Sequence, residues 1–217
     1  MKQNYQLMLD RKLSELTENS ARPSLLLHAC CAPCSSYVLE YLSKYFSITL
    51  FFFNPNISAK AEYDTRYEEL LRLVSEMGLE SSVKTVNGDY QPERFFAIAK
   101  GLEQLPEGGE RCKKCYALRL EEAAKKAALG GFDYFTTTLS ISPHKNAEWL
   151  NTIGASLSQE YGVPYLFSDF KKRGGYLRSC ELSEKYGLYR QDFCGCVYSK
   201  AERDKRLREA EIEKEKT

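Results

Sequence analysis

The sequence predicts an α/β fold: a Rossmann-like parallel sheet flanked by helices, with a helical C-terminal extension. Three observations predict it. Short apolar runs of strand length alternate with longer segments whose apolar residues repeat at helical spacing. The joints are short, so each strand–helix–strand passage reads as a right-handed crossover. The chain has 217 residues, 43% hydrophobic and 28% charged, which suffices to bury a core without staples and argues against disorder. One α/β domain over 1–217 is expected, with an N-terminal helix within 1–20 and a charged helix over 200–217.

Residues 4–17 place Tyr5, Leu9, Leu13 and Leu16 on one helical face. Residues 24–29 (SLLLHA) read as a strand buried on both sides. Pro33 suits the first turn of the next helix, where a missing N–H costs nothing, and Val38, Leu42 and Tyr45 mark its inner face. A second strand over 48–53 is broken by Asn54-Pro55-Asn56. The following helix turns Tyr63, Tyr67, Leu70, Leu71, Val74 and Met77 inward and closes at Gly78. A third strand over 83–86 and a short helix over 91–100 lead to a Gly-rich connector at 106–110. A helix then runs from near Cys112 to Gly130-Gly131, with Tyr116, Leu120, Ala123, Ala124 and Ala127 inward. A fourth strand over 134–139, a helix over 145–161 carrying Leu150, Ile153 and Leu157, and a fifth strand over 163–167 complete the sheet. The tail over 200–217 holds seven basic and six acidic residues and reads as a solvated helix with i,i+4 pairs.

Thirty-one basic residues face thirty acidic ones, a formal charge of +1. That excludes a uniformly basic nucleic-acid binder, so any RNA contact must come from a local patch. The apolar stretch at 48–53 is far too short to span a membrane. The N-terminal segment over 1–21 carries Lys2, Asp10, Arg11, Lys12, Glu15 and Glu18 and no apolar core of a signal peptide. A cytoplasmic location is expected, and there eight cysteines mean metal, redox chemistry or catalysis rather than a disulfide framework.

The cysteines fall into groups. His28-Ala29-Cys30-Cys31-Ala32-Pro33-Cys34 lies where the first strand turns into its helix, and Cys112-x-x-Cys115 opens another helix. Ligands of open α/β sheets collect beyond the carboxyl ends of the strands. Helix N-termini favour anions and lower thiol pKa, so thiolates are expected to form readily at both groups. Four converging thiolates bind a metal or a cluster. Zinc is the common structural solution, but Cys34 and Cys112 stand far apart in a domain that needs no zinc staple. The adjacent Cys30 and Cys31, with side chains expected to diverge, suit two irons of one cluster better than one small ion. The spacing favours an iron–sulfur cluster over zinc or reactive thiols. Cys194-Gly195-Cys196 can close a small, strained disulfide, which is easily reduced; a third pair of metal ligands is the alternative. Cys180 reads as a small core residue. His28 reads as a buried structural histidine and His144 as a cap. Asp169, after the fifth strand, is a candidate to orient a ligand, to supply a proton or to cap.

Residues 171–190 hold six basic and two acidic residues, net +4, interleaved with Tyr176, Tyr186 and Tyr189. Basic groups hold phosphates, and tyrosines offer stacking faces to unpaired bases. An ordinary exposed helix is the plainer reading of this stretch alone; its place beside the Cys-Gly-Cys raises the functional one.

Six blocks in order are HACCAPCSS (28–36), FFNPNISAKAEYDTR (52–66), RCKKCYALRL (111–120), TTTLSISPHKN (136–146), DFKKRGGYLRS (169–179) and YRQDFCGCVYS (189–199). Together they closely resemble the cobalamin-independent epoxyqueuosine reductases over about residues 24–200. The resemblance implies reduction of epoxyqueuosine to queuosine at the tRNA wobble position, the last step of queuosine biosynthesis, without a corrinoid. It implies a [4Fe-4S] cluster on Cys30, Cys31, Cys112 and Cys115, and a redox-active pair at Cys194 and Cys196. It also allows a further mononuclear iron, with Cys34, Cys194, Cys196 and Asp169 as candidate ligands. The partners implied are a tRNA carrying epoxyqueuosine and an electron donor that the motifs do not name. Lys171, Lys172, Arg173, Arg178 and Arg190 are the candidate tRNA contacts, and Asp169, Tyr176 or a free thiol the candidate proton donor.

Three other classes compete. An ATP-using tRNA sulfur-transferase needs a Gly-rich phosphate loop after the first strand, where this chain has HACCAPCSS. A zinc-stabilised RNA-binding module and a thiol–disulfide oxidoreductase are separated from the reductase by their metal content.

Overall fold

Leu25, Leu26 and Leu27 are fully buried in the computed structural model, which describes residues 3–214. They form the centre of strand β1 (Ser24–His28). Alternate side chains of a strand point to opposite faces, so Leu25 and Leu27 enter one core and Leu26 the other. The first core is closed by α1 (Tyr5–Glu18), α2 (Ala32–Leu42) and α3 (Lys60–Glu76). The second is closed by α5 (Glu110–Leu129) and α6 (Ala147–Tyr161). The result is three layers, helices on both faces of a sheet, and each fully buried leucine contributes about 1.5–3 kcal/mol.

The sheet has four parallel strands in the order β3 (Val83–Asn87), β2 (Ser47–Phe52), β1, β4 (Tyr134–Thr137). The chain builds outward from β1 to β3 and then crosses to the far side of β1. Between β1 and β4 lies the switch point, beyond whose carboxyl ends ligands gather.

Two expectations are corrected here. Residues 163–167 are not a fifth strand. They make one parallel bridge, Phe135 to Tyr165, in which Leu166 N–H donates to the Phe135 carbonyl at 2.9 Å. Pro164 has no N–H to extend the ladder, and Ser168 turns away to bond Asn151 instead. The fourth strand ends at Thr137, not 139. The Thr137 hydroxyl accepts from Leu139 N–H at 3.1 Å and starts a 3-10 turn over Thr138–Ile141.

The helices follow their apolar spacing with one rotation: Leu73 is buried where Leu71 was expected, and Leu71 is exposed. Between β3 and α5 lies α4 (Pro92–Ala99). The basic segment contains α7 (Gly175–Lys185). The charged terminal helix, α8 (Val197–Lys214), begins directly after the Cys-Gly-Cys. Residues 1–2 and 215–217 of the expected terminal helices lie outside the described residues. No helix among the described residues is long and apolar enough to cross a membrane.

Candidate functional site

The carboxyl end of β1 is fixed by His28. Its Nε2 lies 3.0 Å from the Phe53 carbonyl and its Nδ1 2.8 Å from the Thr137 hydroxyl. A carbonyl only accepts, so Nε2 carries the proton and Nδ1 accepts from Thr137. Burial, then the charge of Arg119, lowers the pKa of His28 to about 3, and the ring is neutral. It is the structural histidine its strand position suggested.

Beyond it the chain bends. Cys31 caps α2 in extended backbone, and Pro33 sits in the first turn. The Sγ atoms of Cys30 and Cys31 are 3.8 Å apart, and those of Cys30, Cys31 and Cys34 lie within 4.8 Å of one another. The expected divergence of Cys30 and Cys31 is therefore wrong. It holds along a strand, but these residues occupy the bend into a helix. Hydrogen bonds from the Cys31 and Cys34 thiols hold Cys30 well below the ordinary thiol value, and Cys31 is pushed up to about 12 by the same sharing.

The first turns of α5 carry Cys112 and Cys115, both buried. Gly108 N–H donates to Cys112 Sγ at 3.3 Å. Burial raises both thiols, Cys115 to about 11. The helix N-terminus thus does not by itself ionise them, contrary to expectation. Ligation to a metal ion ionises a thiol whatever its free pKa, by displacing the proton. Cys30 packs into the same apolar cluster as Cys112, and Cys115 into a cluster with Cys194 and Cys196.

The Cys-Gly-Cys is a loop held from two sides. The Sγ atoms of Cys194 and Cys196 are 3.5 Å apart, both as free thiols. Ser199 binds both: its hydroxyl is 3.0 Å from Cys194 Sγ, and its N–H donates to Cys196 Sγ at 3.3 Å. Hydrogen bonding from Cys196, opposed by burial and aided by Lys145, lowers Cys194 to about 5. Gly195 has φ of +106°, and a Cβ there would lie 2.9 Å from Ile57 Cγ1. Glycine meets both constraints.

The other side of the loop comes from the segment after β2. Asn56 Nδ2 and Arg66 Nη1 donate to the Cys194 carbonyl at 3.0 and 3.3 Å, and Ser58 N–H donates to the Gly195 carbonyl at 3.1 Å. Asn54 Nδ2 donates to the Ala29 carbonyl at 3.0 Å, and Arg119 donates to Asn54 Oδ1. Asn-Pro-Asn reads in sequence as a strand breaker. In the fold its side chains tie the Cys-Gly-Cys to the first cysteine group. The signal was the position of two asparagines at a strand's carboxyl end inside a quoted motif.

These segments surround a cavity of about 590 Å³, within the range for small-molecule sites. Cys30, Cys31, Cys34 and Cys194 line it, and Arg119 and Lys145 are among its cations. Lys145 is an addition to the sequence reading. Burial lowers its pKa, but the Cys194 thiolate, Tyr116 and Glu107 more than reverse that, and its Nζ lies 3.2 Å from Glu107 Oε1. His144 also lines the cavity, its N–H donating to Ser142 Oγ at 3.3 Å.

Other expected site residues lie elsewhere or are engaged. Asp169 is not among the cavity-lining residues, and its Oδ1 is 2.5 Å from Lys171 Nζ. Arg173 pairs with Asp10, and Arg178 with Glu40 and Glu181. Lys172 is exposed with no ion pair among the described residues. Arg190 and Tyr176 line the cavity. Cys180 is half-buried on α7.

The family model described as "Epoxyqueuosine reductase QueH" matches residues 25–202. Relatives named epoxyqueuosine reductase QueH are similar over most of the chain. The one from Streptococcus pyogenes serotype M1 is 44% identical, over 90% of this chain and 78% of its own. The one from Staphylococcus epidermidis is 43% identical, over 90% and 84%. The one from Thermotoga maritima is 35% identical, over 89% and 97%.

Proposed function

The chain belongs to the epoxyqueuosine reductase QueH family of oxidoreductases, and from that premise we propose that it converts epoxyqueuosine to queuosine at the wobble position of tRNA. The observation that carries the reading is the meeting of three cysteine segments, far apart in the chain, at and around one cavity. That convergence is what a thiolate-ligated redox centre requires.

The metal-competent group among the described residues is three thiols, Cys30, Cys31 and Cys34, with no carboxylate, and soft thiolate donors of this kind suit an iron–sulfur cluster. In this reading Cys30, Cys31, Cys112 and Cys115 hold a [4Fe-4S] cluster, which when bound supplies electrons one at a time. A further iron would draw on Cys34, Cys194, Cys196 or Asp169.

The reaction removes the epoxide oxygen: two C–O bonds break, one C=C bond forms, and two electrons and two protons carry the oxygen away as water. The Cys194 thiolate and the Cys196 thiol supply the two electrons and one of the protons when they close to a disulfide; the second proton comes from a further donor, and an external reductant then reduces the pair again. The Cys194 thiolate is held beside its partner by Ser199, and its loop by Asn56 and Arg66. Lys145 offsets the buried negative charge. Asp169, Tyr176 and a free thiol remain the candidate proton donors, of which Tyr176 and the thiols line the cavity. Of the five candidate tRNA contacts, Lys172 and Arg190 are best placed, having no ion pair among the described residues, whereas Lys171, Arg173 and Arg178 are paired.

One observation favours a second reading of the metal. The 3.8 Å between the Cys30 and Cys31 sulfurs matches the edge of a tetrahedron with bonds of about 2.3 Å. One ion on Cys30, Cys31 and Cys34 is therefore the alternative. The function itself is tested by incubating tRNA bearing epoxyqueuosine anaerobically with the protein and a chemical reductant. Nucleoside mass analysis should show loss of one oxygen and gain of queuosine. An unchanged nucleoside with fully loaded protein contradicts the reading.

A further inference from the structure

Three arginines are buried in this part of the fold, and they differ in how their charge is met. Arg66 pairs with Glu62 at 2.7 Å, and Arg111 pairs with Glu202 at 3.3 Å and donates to backbone carbonyls. Arg119 is 4% exposed and has no carboxylate partner among the described residues. Its Nη2 donates to Asn54 Oδ1, a neutral oxygen, and its Nε has no hydrogen-bond partner. An unpaired buried charge is strongly destabilising, so a fold that keeps one has an anion for it.

The thiols around it can supply that anion. Arg119 stands one helical turn after Cys115 on α5 and lines the cavity with Cys30, Cys31 and Cys34. Its position is fixed through Asn54, whose amide is held by the Ala29 carbonyl, the residue next to Cys30. Arg119 thus stands on the helix of one cysteine group and lines the cavity of the other, groups that lie far apart in sequence.

We propose that Arg119 is a positioning residue whose charge and free Nε–H compensate the anionic sulfur set and favour the reduced state of the cluster held there. The proposal rests on the cluster reading above. Adding an electron makes a thiolate-ligated cluster more negative. A fixed cation beside the cluster raises its reduction potential, since net charge and hydrogen bonds to the sulfurs set that potential. Asn54 supplies the neutral anchor that leaves the charge uncommitted.

The test is a spectroelectrochemical titration of the cluster in the full-length wild type, Arg119→Gln and Arg119→Lys, prepared anaerobically. Gln keeps a donor to Asn54 and removes the charge; Lys keeps the charge. At a fixed poise the Gln variant should show a reduced-to-oxidised ratio about tenfold lower, which is about 59 mV for one electron. The Lys variant should stay close to wild type. A Gln variant that folds by circular dichroism but holds no cluster, beside a Lys variant that does, also supports the charge role. A wild-type ratio in Gln, or equal losses in Gln and Lys, overturns it. A wild type without a [4Fe-4S] signal overturns the underlying reading, and this is seen before any variant is compared.

Discussion

Asn56 donates to the carbonyl of Cys194 at 3.0 Å, across 138 residues of sequence. The bond joins the loop after β2 to the loop that carries the proposed redox pair. With Arg66 on the same carbonyl, it fixes Cys194 while leaving its sulfur free to meet Cys196. Asn56→Ala removes a neutral hydrogen bond worth about 1 kcal/mol, and loosens the loop without touching a cysteine. The cluster spectrum should persist while multiple turnover falls several-fold. Cys194→Ser marks the limit, with cluster kept and multiple turnover lost. Loss of the [4Fe-4S] spectrum in Cys194→Ser would put this pair among the cluster ligands.

Cys194 should titrate far below an ordinary thiol. Its hydrogen bond from Cys196 and the charge of Lys145 outweigh burial and bring it to about 5. In reduced, metal-free protein its alkylation by iodoacetamide should be nearly independent of pH above 6 and fall away below 5. Lys145→Gln should move that profile upward. A rate still rising through pH 8 in the wild type contradicts the arrangement.

The lowered pKa of His28 makes a stability prediction. The folded value is about 3 and the unfolded value about 6.5. Between these, the unfolded chain binds a proton that the native chain does not, so stability is full above 6.5 and falls as pH drops toward 3. The slope approaches about 1.4 kcal/mol per pH unit for one proton. Urea unfolding of metal-free protein at pH 7, 6 and 5 should show this loss. His28→Gln, which can both donate and accept there, should be less sensitive to acid by about one proton. Equal slopes would mean that His28 is protonated in the fold.

The tRNA surface should be narrower than its net charge suggests. Lys171, Arg173 and Arg178 are held in ion pairs, whereas Lys172 is exposed and Arg190 lines the cavity. Phosphate contacts give a salt slope of about −0.7 per single-strand contact. A Lys172→Ala, Arg190→Ala double variant should weaken tRNA binding and flatten that slope more than Lys171→Ala, Arg173→Ala does. The reverse order would show that tRNA opens the ion pairs.

The sheet and the cysteine groups were legible because both rest on local pattern. Leu25–Leu27 read as a strand buried twice over, and Cys112 and Cys115 fall on one helical face. The fifth strand was misread because an apolar run does not show whether its N–H groups find a partner, and Pro164 has none to give. The divergence of Cys30 and Cys31 was misread because strand geometry was carried one residue too far into a bend. Arg119, Lys145, Asn54 and Asn56 stood inside recognised motifs, yet their contacts reach far along the chain, as from Asn54 to Ala29 and from Asn56 to Cys194. No spacing rule reaches that far.

The central claim is that the cysteines hold an iron–sulfur cluster. Iron, zinc and acid-labile sulfide analysis of anaerobically purified protein, with an electron paramagnetic resonance spectrum after reduction, tests it most directly. The account predicts brown protein with four sulfides and at least four irons per chain and a reduced-cluster signal, all diminished when Cys30, Cys31, Cys112 or Cys115 becomes serine. Colourless protein with one zinc per chain and no sulfide would contradict it.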